Sequence, residues 1–118
     1  MRIVQAFTFE AAHRLPNVPA SHRCSRMHGH SYRVELALEG KVDPGTGFVV
    51  DFFDVEAAFG PVLARLDHHT LNEVEGLSNP TAELIAIWIW DQVKPGLPQL
   101  ASVKVFETPF CWAEHDGT

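Results

Sequence analysis

A chain of 118 residues, 46% hydrophobic and 20% charged, is long enough to bury one core without disulfide staples, so residues 1–118 read as a single domain. Its formal charge of −6, with nine basic residues scattered along it, argues against a nucleic-acid partner, and no apolar run approaches the length of a membrane span. Two cysteines build no disulfide framework and the first residues alternate instead of forming a signal-peptide core, so a cytoplasmic protein is expected.

Residues 2–13 are predicted to form a strand, with Ile3, Phe7, Phe9, Ala11 and His13 on one face and Thr8 and Glu10 on the other. Residues 15–27 hold two prolines and many polar side chains and read as an irregular loop. The cleanest strand is 28–39, where Tyr32, Val34, Leu36 and Leu38 alternate with Arg33, Glu35 and Glu39. Asp43, Pro44, Gly45, Thr46 and Gly47 compose a turn. Val55, Ala58, Phe59, Val62, Leu63 and Leu66 then recur at helical steps. Asn79 and Pro80 suggest the cap and first position of a second helix through Ile85, Trp88, Ile89 and Val93, with Glu83 in its first turn. Val103, Val105 and Glu107 share a third strand face, and residues 110–114 suit a short last strand. The order ββααββ predicts an α+β fold, with two helices on one face of an antiparallel four-stranded sheet. Other subunits would then cover its remaining face and edges.

Seven histidines in so short a chain point to metal. His28 and His30 share the face that continues as Tyr32 and Val34. If the first two strands pair as a hairpin, His13 comes opposite them. Three neutral imidazoles with an open fourth position make a catalytic zinc site, whereas a closed structural one would need more ligands. The plainer reading is three hydrogen-bonded histidines at strand ends.

Cys24 lies four residues before His28, with Arg23 and Arg26 nearby, and cations with a metal ion favour its thiolate. A small apolar filler is the plainer reading. Asp67 can orient a neighbouring ring, His68 or His69, although a helix C-terminus attracts histidine by itself. The parity of Glu107 directs a carboxylate toward a buried layer, where a flat heterocycle with adjacent N–H groups would satisfy it; a strand-end glutamate reaching solvent is the other reading.

Taken together, Phe9-Glu10-Ala11-Ala12-His13, Cys24-x-x-x-His28-Gly29-His30, Leu66-Asp67-His68-His69-x-Leu71-Asn72, Asn79-Pro80-Thr81 and Phe106-Glu107-Thr108 resemble the 6-pyruvoyl-tetrahydropterin synthase family, from about residue 5 to residue 108. The resemblance implies the tunnelling fold (T-fold), in which ββααββ subunits form trimers, commonly paired into hexamers, with a pterin bound at a subunit interface. It puts zinc on His13, His28 and His30, makes Cys24 the proton-abstracting residue, pairs Asp67 with His68, and gives Glu107, helped by Thr81, the grip on the pterin. Three residues between the cysteine and the HGH motif look like the 6-carboxy-tetrahydropterin-forming branch, which serves queuosine and 7-deazapurine synthesis. The implied substrate is a pterin triphosphate, with Arg14, Arg23 and Lys104 as candidates to hold its phosphates. A pyruvoyl-forming synthase, a zinc hydrolase using His68 or Glu107 as base, and a non-catalytic zinc or pterin binder are the rival readings.

Overall fold

The computed structural model describes residues 1–118 throughout. Strand β1 (Arg2–His13) pairs antiparallel with β2 (His28–Glu39) over their whole length, from Arg2 opposite Glu39 to His13 opposite His28. Helix α1 (Phe52–Leu66) follows, started by the Asp51 side chain accepting from the Phe53 N–H. After α1 come β3 (His69–Thr70), α2 (Ala82–Val93), β4 (Leu100–Thr108) and β5 (Cys111–His115).

The order in the sheet is β3-β1-β2-β4-β5. The expected four antiparallel strands are present, but the sheet has five strands and is mixed, because β3 runs parallel to β1 through Ala11 opposite His69 and Ala12 opposite Thr70. Two residues carry no alternation, so only the free edge of β1 makes a strand of them. A second correction concerns α2. Its cap is Thr81, whose hydroxyl accepts from the Leu84 N–H, and not Asn79 followed by Pro80 in the helix. The Pro80 carbonyl is turned instead toward His13.

Both helices lie on one face of the sheet. Phe9, Tyr32, Val34, Leu36, Val103 and Val105 meet Val55, Phe59, Val62 and Leu66 of α1 and Ile85, Ile89 and Val93 of α2 in one buried cluster. The carboxyl-terminal tail closes over α2: Gly117 adopts φ 90°, and a Cβ there would come within 2.6 Å of the Trp90 ring. The opposite face carries no layer. Its even-numbered β1 positions, Val4, Ala6, Thr8 and Glu10, are exposed. The molecule is correspondingly long, 57 × 23 × 23 Å, with a radius of gyration of 15.2 Å against about 13.5 Å for a compact domain of this length. No helix is long and apolar enough to cross a membrane.

Candidate metal centre

The β1–β2 register ends in histidine. His13 stands opposite His28, and Ala11 opposite His30, so alternation turns all three imidazoles to the helix-covered face. One nitrogen from each ring lies within 4.8 Å of the others. His13 is 1% exposed, and its neighbours are half-buried.

Backbone carbonyls set the tautomers. His13 Nδ1 lies 2.8 Å from the Pro80 carbonyl and His28 Nδ1 lies 2.8 Å from the Arg26 carbonyl. A carbonyl only accepts, so each Nδ1 carries the proton and each neutral ring leaves Nε2 bare. Those two lone pairs face each other across 3.0 Å. His30 Nε2 is buried and lies 3.3 Å from Glu107 Oε2 without an aligned hydrogen bond. Only a proton or a metal ion among these nitrogens relieves the repulsion. Burial is the main cause lowering the proton affinity of His13, with the Pro80 hydrogen bond opposing it and His28 adding to it. His30 is lowered by the same desolvation against the pull of Glu107. Neutral imidazoles in a desolvated cluster are ligands for a metal cation, and the residues fit one.

Tyr32 underlies the cluster. Its ring is fully buried, stacks on Phe9 at 4.8 Å, and meets His30 edge-on at 5.4 Å. The hydroxyl has no partner, and burial, reinforced by Glu107, pushes its pKa far above the ordinary phenol value. It therefore stays protonated beside the histidines. The sequence places Tyr32 among the core residues; its position two residues after His30 was the available signal of a role at the site.

Cys24 lies in a short 3-10 turn, Arg23–Ser25, capped by His22 Nδ1 accepting from the Cys24 N–H at 3.0 Å. The Cys24 carbonyl accepts from the Leu15 N–H at 2.8 Å, which closes the loop between β1 and β2.

Asp67 and His68 occupy another place. Asp67 Oδ1 accepts from the Glu10 N–H at 3.0 Å and from His68 Nδ1 at 2.9 Å. These two donors, the backbone one first, hold the carboxyl below its usual pKa. The His68 N–H donates to the Glu10 carbonyl, and His68 takes a left-handed φ of 60°. Such a backbone is strained for a residue with a Cβ and is held by the Glu10 carbonyl on the His68 N–H, while the Glu10 N–H holds the neighbouring Asp67 carboxylate. His69 instead turns its Nδ1 to the Asp67 carbonyl. His68 lines an open recess of about 510 Å³ with Glu10, Ala12, Ser31 and Thr70, and His30 of the cluster also borders it. Ser31 donates to Glu10 there at 2.7 Å. Glu10 and Ser31 have the parity opposite to Phe9 and Tyr32, so these walls of the recess belong to the bare side of the sheet, while Ala11 and His30 border it from the other parity. No hydrogen bond joins Cys24 to Asp67 or His68.

Glu107 and Thr81 lie beside the histidines, Glu107 against His30 and Thr81 directly after Pro80. Lys104 does not belong to this site. It stands opposite Glu35 on β2, five positions beyond His30, and lies over Trp112.

The sequence profile of the family described as 6-pyruvoyl tetrahydropterin synthase matches residues 2–118. The chain belongs to that family. A Synechocystis protein named 6-carboxy-5,6,7,8-tetrahydropterin synthase is 43% identical over 112 residues, covering 90% of this chain and 85% of the relative. Dihydroneopterin monophosphate aldolase of Pyrococcus furiosus is 33% identical over 103 residues, covering 87% and 83%. The solved structure of Caenorhabditis elegans 6-pyruvoyl tetrahydropterin synthase superposes with a TM-score of 0.93 at 28% identity, over 100% of this chain and 96% of that one. The T-fold and a pterin lyase activity follow from membership of this family.

Proposed function

We propose that this protein is a zinc-dependent lyase that converts 7,8-dihydroneopterin triphosphate and one water to 6-carboxy-5,6,7,8-tetrahydropterin, releasing triphosphate and acetaldehyde. The observation that carries the reading is the meeting of three imidazole nitrogens, two of them stripped of protons by the Pro80 and Arg26 carbonyls. The resemblance of the Cys24-to-His28 spacing to the carboxy-forming branch and the 43% identity to a carboxy-forming relative favour that product.

Zinc held by His13, His28 and His30 would supply Lewis acidity toward the side-chain oxygens of the substrate. Cys24, as thiolate, takes a carbon-bound proton from the same side chain. Glu107 leans on His30 Nε2 at 3.3 Å; once that nitrogen is ligated, its carboxylate is free to accept from adjacent pterin N–H groups, with Thr81 beside it. His68, held by Asp67 at 2.9 Å, exchanges protons with the substrate. The reaction belongs to queuosine or 7-deazapurine synthesis in the cytoplasm.

A homo-oligomer, trimer or hexamer, accounts for the division of these groups. Glu107 lies against His30 and Cys24 sits in the loop that leads into His28, whereas His68 faces a recess walled mainly by the bare side of the sheet. A pterin bound where the cluster of one copy meets the recess of another would touch both sets.

The test is to incubate zinc-loaded protein with dihydroneopterin triphosphate and identify products by mass spectrometry. The carboxy product with acetaldehyde is expected. A pyruvoyl product would transfer the protein to triphosphate elimination alone, and unchanged substrate would sink the lyase reading.

A further inference from the structure

Residues 11–34 contain no aspartate or glutamate, in a chain with 15 acidic residues against nine basic ones. The same stretch holds Arg14, Arg23, Arg26 and Arg33. Of the arginines elsewhere, Arg2 pairs with Glu39 at 2.7 Å, and Arg65 donates to Gln92 while lying over Trp88. Arg33 pairs with Glu35 at 3.0 Å. Arg14, Arg23 and Arg26 have no carboxylate within ion-pair distance, and all three are exposed.

Their backbones, by contrast, are fixed. Arg14 follows His13, and Asn72 grips it from both sides, accepting from its N–H at 2.9 Å and donating to its carbonyl at 2.8 Å. The Arg26 carbonyl holds His28. The bond from the Leu15 N–H to the Cys24 carbonyl closes the loop, so Arg14 stands beside the turn that bears Arg23. Ser25 Oγ ties the same turn to the Ala20 carbonyl at 3.0 Å. Three exposed arginines without a carboxylate partner are thus carried by backbone segments tied directly to His13 and His28. Guanidinium forks match phosphate oxygens, and a stretch of chain with four arginines and no carboxylate of its own concentrates positive charge in an otherwise acidic protein.

We infer that Arg14, Arg23 and Arg26 form the polyphosphate-binding collar of this site, gripping the triphosphate ester of the substrate and neutralising it as it leaves. This rests on the lyase reading but extends it, naming the residues that select a triphosphate over a less charged ester. Lys104 plays no part in the collar.

Zinc-loaded protein is titrated with inorganic triphosphate by calorimetry at two salt concentrations, in excess magnesium to keep the chelator from stripping zinc. Arg23→Ala and Arg26→Ala are each expected to weaken binding about tenfold and to flatten its salt dependence. The ion-paired control Arg2→Ala should match the wild type. In turnover, KM for dihydroneopterin triphosphate should rise by a similar factor, while binding of phosphate-free dihydroneopterin and zinc content stay unchanged. Affinity within twofold of wild type in both collar variants, equal weakening by Arg2→Ala, or no triphosphate binding by the wild type would each overturn the collar. If arginine-dependent triphosphate binding persists but no pterin is converted, the lyase reading fails and the collar stands.

Discussion

The two faces of the β1–β2 hairpin handle polar groups in opposite ways. On the helix-covered face, His13, His28 and His30 are desolvated, and carbonyls from Pro80 and Arg26 dictate two of their tautomers. On the bare face, Asp67 and His68 stay largely exposed and are held by the Glu10 backbone at the cost of a left-handed residue. The first arrangement is set up within one chain to receive a cation. The second is an oriented aspartate–histidine pair at the edge of an open recess.

The strongest way to break this contrast is at the buried face. His30→Ala should leave the fold intact, since the half-buried ring lies at a strand end, while zinc content by mass spectrometry falls close to zero and turnover disappears with it. Retention of stoichiometric zinc would show that the ligands lie elsewhere.

Removing either of the two groups proposed to transfer protons comes next. Cys24→Ala and His68→Ala are each expected to lower kcat by about 10²- to 10⁴-fold with zinc still bound. Co-expressing the two variants sharpens the comparison. Partial recovery is expected if the faces of different copies meet around one substrate, and no recovery would mean that both groups act within a single chain.

A smaller, opposite-signed effect follows from the strain at His68. His68→Gly relieves the left-handed backbone and should raise stability by about 0.5–1 kcal/mol in calorimetry, while turnover is lost. Unchanged or lower stability would show that the strain is already offset by the imidazole's bond to Asp67. The smallest change is expected from Tyr32→Phe, which deletes a buried hydroxyl without a partner. Urea unfolding of the metal-free protein should find it neutral or up to about 1 kcal/mol more stable. Destabilisation would reveal a bond to that hydroxyl within the fold.

Much of the buried face was legible because strand parity is a local property. His13, Phe9 and Ala11 on one strand, and His28, His30 and Tyr32 on the next, had to share a face once the hairpin formed, and the same rule turned Glu107 inward. The bare face was less readable. Asp67 and His68 stood out as a pair, but neither the attachment to Glu10 nor the direction of the recess is written into their neighbourhood. The true cap, Thr81, was masked by Asn79 and Pro80, which form an equally good local signal until His13 claims the Pro80 carbonyl. Lys104 looked as eligible as Arg14 for phosphate until the register placed it opposite Glu35.

By itself, then, the sequence determined the two helices, the four long or regular strands and the facing of the three histidines, because periods of 2 and 3.6 residues are fixed by backbone geometry alone. The tertiary structure decided the fifth strand, the tautomers of His13 and His28, and the anchoring of Asp67 and His68 on the Glu10 backbone. These depend on contacts such as His13 with Pro80, 67 residues apart, and Glu10 with Asp67, 57 apart, which no local pattern specifies and only the packed chain brings into hydrogen-bond range.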